Sequence, residues 1–204
     1  MEYDRERVVQ QMRKWETYLT GHPMPLWEEL PALDLYMDQV VALLNSYLGF
    51  LPREVGMDAA VTAAAVNNYV RKKIMPPPVK KRYSRIHLAY LLMICCLKQS
   101  VGISHICRIM PLTLTEAQVQ AVYDRFAVQH RAATLLFVEQ VNRRAGLLLP
   151  ENASAADGVN DLIVVFSAVA GLSRMAAEKL LQMQGPSPAA PADAVPPEKP
   201  EEPV

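Results

Sequence analysis

Cysteine is scarce: there are three, two of them adjacent, too few and too crowded for a disulfide framework. That points to a reducing compartment, and the cytoplasm is the expected location. No uninterrupted run of 18 apolar residues occurs, and the most apolar window, Ile86 to Leu97, is broken by His87 and followed by Lys98. No membrane span is therefore expected. The start, MEYDRERVVQQMRKW, is acidic and polar where a secretory signal is basic and then apolar. The four histidines, His22, His87, His105 and His130, are scattered, and no His-Glu-x-x-His, Gly-x-Ser-x-Gly, phosphate-binding glycine loop or Cys-x-x-Cys is present. The chain is accordingly read as a non-enzyme without cofactor, catalytic group or metal. Cys95 and Cys96 lie mid-helix among apolar neighbours and project about 100° apart, so buried inert thiols account for them better than a shared metal. Cys107 stays open as a redox or metal partner. Asp34 and Asp38, one helical turn apart, read as a helix cap and a solvated residue.

Acid is missing from one long stretch. Between Ala59 and Thr115 there is no Asp or Glu, while Arg71, Lys72, Lys73, Lys80, Lys81, Arg82, Arg85, Lys98 and Arg108 supply nine positive charges. The whole chain of 204 residues is neutral, with 21 basic and 21 acidic groups, so the 57-residue segment is compensated elsewhere. Such segregation is an electrostatic statement about an anionic partner. A composition that is 51% hydrophobic excludes disorder as the general state.

Breakers and periodicity divide the chain into helices. Glu6 to Leu19 reads as a polar helix ended by Gly21, Pro23 and Pro25. From Asp34, a plausible N-cap, the positions Leu35, Met37, Val40, Val41, Leu44, Tyr47 and Leu48 recur at three and four, followed by a loop at Gly49 to Met57. Thr62 caps a short helix stopped by the prolines at 76–78. Ser84 caps a longer one to about Gln99, and another begins at Ser104 and stops before Pro111. After Thr115 a helix of about seven turns continues to Arg144, with Val119, Val122, Phe126, Ala133, Phe137 and Val141 as its apolar stripe. A last apolar helix spans Val159 to Met183. The final twenty residues hold seven prolines and read as a disordered acidic tail.

The stretch Thr62 to Met110 carries the functional signal. Val66, Tyr69, Val70 and Ile74 face inward on a helical projection, whereas Ala64, Asn67, Asn68, Arg71 and Lys72 spread over the opposite face. Asn and Arg have the bidentate geometry for adenine and guanine edges in the major groove. Small alanines at the helix start allow close approach, and the N–H groups there can meet phosphate. Next comes Met75-PPPVKKRYS-Arg85, where Lys80, Lys81 and Arg82 sit beside Tyr83 on a short hairpin or loop within reach of a neighbouring phosphate. A helix followed at once by a basic wing is the footprint of a winged helix-turn-helix.

The run AVNNYVRKKIMPPPVKKRYSRIHLAYLLMICCLKQSVGISHICRIM resembles the DNA-binding module of MerR-type bacterial regulators. Tyr69, Arg71, Ile74, Pro76, Tyr83, Ser84, Leu88, Leu91, Ile94, Leu97, Gly102, Ile106 and Met110 fit that layout. The words WEELPALDLYMDQVVALLN, VNNYVRKK and KKRYSRIHLAYLLMI also resemble a bacterial family known only as a domain of unknown function. Together these cover Leu26 to Met110, a little over 40% of the chain. The sequence departs from the MerR pattern in a longer loop before Thr62 and a shorter wing. Lys73 stands where glycine is preferred, and His87 where an acid is common. Asn67 and Asn68 replace the usual arginine and first aromatic.

The expected fold is all-α: residues 1–25 as N-terminal helix and linker, 26–112 as a MerR-like winged helix-turn-helix, 113–184 as a helical dimerisation or effector region, and 185–204 as the tail. The expected function is a transcription regulator binding double-stranded DNA as a homodimer, its effector unknown. The expected DNA-binding residues are Ala64, Asn67, Asn68, Arg71, Lys72, Lys80, Lys81, Arg82, Tyr83 and Arg85. The competing reading is a protein–protein adaptor or ligand-sensing helical protein that does not bind DNA.

Overall fold

A computed structural model of the chain describes residues 3–51, 59–148 and 155–183. Most of the predicted loop at 49–57, the turn at Pro150 and the tail at 185–204 lie outside the described residues. Within them the protein is helical: α1 (Arg5–Gly21), a 3-10 turn (Trp27–Glu29), α2 (Met37–Tyr47), α3 (Ala63–Arg71), α4 (Arg85–Leu97), α5 (Ile103–Ile109), α6 (Glu116–Leu148) and α7 (Ala155–Gln182).

α4 is the axis of the main core. Its residues from His87 to Cys95 are buried without a break, which is how a helix apolar on every side behaves inside a small domain. This is the apolar window seen in the sequence, and α2, α5 and α6 surround it. Val40, Leu44 and Leu48 of α2, Val66 and Tyr69 of α3, and Ile106 of α5 complete the cluster.

Helix α2 starts two residues later than Asp34 as N-cap suggests. Leu35 is held in extended backbone, its N–H donating to the Tyr83 carbonyl at 2.9 Å and its carbonyl accepting from the Tyr83 N–H at 2.8 Å. Asp34 therefore precedes the helix and caps nothing; Tyr36 takes the cap position, its N–H donating to Gln39 Oε1 at 2.9 Å. The expected one-turn relation between Asp34 and Asp38 falls with it.

The long helix α6 serves two clusters. Val119, Tyr123 and Ala127 in its first half are buried in the main core, with Phe126 packed at the margin. Its second half meets α1 and α7, where Met12, Val141 and Leu162 form a separate cluster with Val8 and Phe166. Of the apolar stripe expected to pair two chains, Val119 and Val141 are buried within the chain and Val122 and Phe126 half-buried, while Ala133 and Phe137 are exposed. Arg131 ties α6 to the segment before α2, its Nε donating to the Met24 carbonyl and its Nη2 to Glu29, both at 2.6 Å.

α7 corrects the expectation about apolar helices. Ala156–Gln182 is long and apolar enough to cross a membrane, with a mean hydropathy of 1.4 over its best window. A search for uninterrupted apolar runs passes over it because Asp161 and Arg174 break the run.

Candidate nucleic-acid interface

The outward face of α3 is positioned from both ends. At its start the Thr62 hydroxyl accepts from the Ala65 N–H at 3.2 Å, as the sequence suggests. One residue earlier, Asn45 of α2 clamps Val61: its Nδ2 donates to the Val61 carbonyl at 2.9 Å and its Oδ1 accepts from the Val61 N–H at 3.1 Å. This two-way amide bridge fixes the entry of α3 against α2. At the exit, the Ile74 N–H donates to the Tyr69 carbonyl at 2.9 Å and the Lys73 N–H to the Val70 carbonyl at 3.0 Å. That pair of bonds, with Ile74 and Tyr69 both buried, is a Schellman ending. It requires a left-handed residue, and Lys73 supplies it at φ 54°.

The basic segment then closes in a two-residue hairpin turn. Val79 and Arg82 exchange N–H···O bonds of 3.1 and 2.9 Å, with Lys80 at φ 50° and Lys81 at φ 63°. Positive φ at both central residues is the mirror-image turn that suits strand twist, normally filled by Asn-Gly. Lysine in that region costs about 1–2 kcal/mol relative to right-handed backbone. Three lysines of one segment therefore stand in a conformation that glycine would adopt freely. Beyond the turn, the pairing of half-buried Leu35 with buried Tyr83 anchors the segment to the chain entering α2.

The predicted site residues divide by what the fold does with them. Ala64, Asn67, Arg71, Lys72, Lys80 and Lys81 are exposed, and Asn68 is half-buried. Asn68 Oδ1 accepts from Arg71 Nη2 at 3.0 Å, so these two present themselves as a unit. Arg82 is exposed, yet its guanidinium lies 4.8 Å from the Tyr36 ring centroid and donates to the Tyr36 hydroxyl at 2.9 Å. Arg85 pairs with Glu28 at 3.0 Å and lies over the Trp27 ring at 5.6 Å. Tyr83 is only 3% exposed, with its ring edge against His87. It belongs to the core, not to a surface. Among the described residues, Lys72, Lys73, Lys80 and Lys81 are exposed and enter no ion pair. An open groove of about 850 Å³ runs between Tyr36 to Asp38 at the start of α2, Ala63 at the start of α3, and Lys81.

Residues that the sequence reading missed hold the site together. Asn45 gave no signal, because a polar residue on an otherwise apolar helix looks solvated until its partner 16 positions away is known. Lys73 did give one: it follows the last inward positions of α3 at the point where a helix ends in a left-handed residue. His87 is the buried polar side chain of the core, 5% exposed. Its Nδ1 accepts from the Ser84 N–H at 3.0 Å and lies 2.9 Å from the Ser84 hydroxyl, so the ring proton sits on Nε2, which meets the Pro77 carbonyl at 3.1 Å. One imidazole thus joins the cap of α4 to the proline turn below the basic hairpin, in the position a capping-box Glu or Gln would take.

The thiols lie apart from this surface. Burial pushes Cys95 up to about 11 and Cys96 up to about 12, and it raises Cys107 as well. Among the described residues no three His, Cys, Asp or Glu side chains are grouped to hold a metal ion.

The profile of a domain of unknown function, DUF1836, matches residues 25–126, half of the chain. The two ends of that range touch: the Tyr123 hydroxyl donates to the Pro25 carbonyl at 2.8 Å, and the Trp27 N–H donates to Asp124 Oδ1 at 2.9 Å. The match therefore delimits a closed unit, α2 to α5 sealed by the first turns of α6. No curated protein and no solved structure matches the chain. The chain belongs to the DUF1836 domain family, whose matched range contains every residue of the candidate interface.

Proposed function

We propose that the protein is a DNA-binding transcription regulator of the winged helix-turn-helix kind, with α3 as recognition helix and the Val79–Arg82 turn as a minimal wing. The observation that carries this reading is the sorting of the acid-free segment's cations. Arg82 and Arg85 are spent on aromatic rings and Glu28, whereas Lys72, Lys73, Lys80 and Lys81 are left exposed at the exit of α3 and on the turn. Cations held outward, three of these four on left-handed backbone, are suited to a polyanion, since each phosphate contact releases counterions. Asn67 and the Asn68–Arg71 pair on the same helix supply the side-chain types that read base edges. The protein acts in this reading as a cytoplasmic, non-enzymatic binder of double-stranded DNA.

The test is selection of bound sequences from a random duplex pool, followed by titration of selected and scrambled sites. Asn68→Ala should lower affinity for the selected site by roughly 1–3 kcal/mol and leave scrambled DNA nearly unchanged. A pool that yields no enriched sequence would favour a protein–protein adaptor that uses the same basic surface for an acidic partner.

A further inference from the structure

α7 buries few of its apolar residues: Ile163, Val164, Val169, Leu172, Met175 and Leu180 are all exposed. Val159, Leu162 and Leu181 are buried and Phe166 is half-buried, Leu162 and Phe166 in the cluster formed with Met12 of α1 and Val141 of α6. Advancing about 100° per residue, a second seam lies on the far side: Asp161, Val165, Ala168, Leu172, Met175 and Lys179. Leu172 is 61% exposed and Met175 46%, Ala168 is exposed and Val165 is half-buried. The spacing alternates four and three, so Val165, Leu172 and Lys179 occupy one core position of a heptad, and Asp161, Ala168 and Met175 the other. The two charges at the ends of the seam are exposed and, among the described residues, in no ion pair.

The placing of charge along α7, not its length, argues against a bilayer as the cover. The uncharged stretch between Asp161 and Arg174 is 12 residues, about 18 Å of helix, against a hydrocarbon thickness of about 30 Å. Charge selects a second copy and its direction. In an antiparallel pair with its two-fold axis at residue 170, Leu172 faces Ala168, Val165 faces Met175, and Lys179 faces Asp161, each across the axis. All three layers are satisfied by one register, and the large side chains meet smaller or flexible ones. A parallel pair would put Asp161 against Asp161 and Lys179 against Lys179.

We propose that α7 pairs antiparallel with α7 of a second copy of this chain, registered by two Asp161–Lys179 ion pairs. This assembly stands on α7 alone and does not depend on DNA binding. It is tested by sedimentation of the full chain at micromolar concentration, with helicity followed by circular dichroism. The unsubstituted chain should be a dimer, and Leu172→Glu a helical monomer. Asp161→Lys and Lys179→Asp should each weaken the dimer at least about tenfold by bringing like charges together, and the chain carrying both should recover it, because the swapped pairs re-form. Two single reversals that weaken the dimer without recovery in the double variant would overturn the antiparallel register. A monomeric unsubstituted chain that instead co-sediments with phosphatidylcholine–phosphatidylglycerol vesicles would overturn the proposal in favour of a membrane surface.

Discussion

Removing the His87 imidazole should destabilise the matched domain more than any other single polar change in it. The ring is 5% exposed and makes three polar contacts. His87→Ala leaves the half-buried Ser84 N–H and the carbonyl of the exposed Pro77 without their partner, which costs about 1 kcal/mol, toward the low end for a stranded group. The vacated ring volume and the lost edge contact with Tyr83 add to this. The sum is about 3–5 kcal/mol, a large part of the roughly 5–15 kcal/mol that holds a typical domain folded. His87→Gln restores a side-chain acceptor for the Ser84 N–H at the capping-box position and gives up only the bond to Pro77, so it should cost about 1–2 kcal/mol. Urea unfolding followed by circular dichroism measures both. If His87→Ala costs less than about 1 kcal/mol, or if His87→Gln is the worse of the two, the imidazole is not bridging cap and turn.

Three further outcomes follow from individual contacts. Asn45→Leu should lose about 1–3 kcal/mol, because both hydrogen-bonding groups of Val61 are then left without the amide; the same unfolding assay reads it, and an unchanged midpoint refutes the clamp. The Glu29 carboxyl is held below the usual carboxylate value of 4.5, chiefly by the Leu26 N–H and also by Arg131. A depressed folded value means its contribution is complete above that pH and is lost as pH falls through the folded value. Acid melting curves of the unsubstituted chain and Glu29→Gln should therefore converge at low pH and separate above it. Cys95 and Cys96, pushed up to about 11 and about 12, should resist a thiol reagent at neutral pH until urea unfolds the domain, since the thiolate is the reactive form.

Local chemistry was legible in the sequence where it depends on neighbours in the chain. Thr62 caps α3 and Ser84 precedes α4 because a hydroxyl before an apolar stripe needs only the next few N–H groups. The inward set of α3 was equally readable from spacing, and Val66 and Tyr69 are buried as that spacing requires. Asp34 misled because Leu35 pairs with Tyr83, 48 positions later, and no local signal announces that bridge. For the same reason the contacts of Arg82 and Arg85 were not legible: their partners Tyr36 and Glu28 come from the acidic first part of the chain. In α6 the apolar period marks an interface without saying whose. Val119 meets the protein's own core, whereas Phe137 of the same stripe is half exposed.

The central claim is that the exposed lysines of the hairpin turn touch phosphate, and the salt dependence of duplex binding tests it most directly. Each phosphate neutralised contributes a slope of about 0.9 in log affinity against log salt. The chain carrying both Lys80→Ala and Lys81→Ala should bind every duplex more weakly and show a slope shallower by about two, while Arg82→Ala, whose guanidinium is occupied by Tyr36, should change the slope by less than one lysine does. A double-lysine variant whose slope equals that of the unsubstituted protein would remove the turn from the interface and contradict the account.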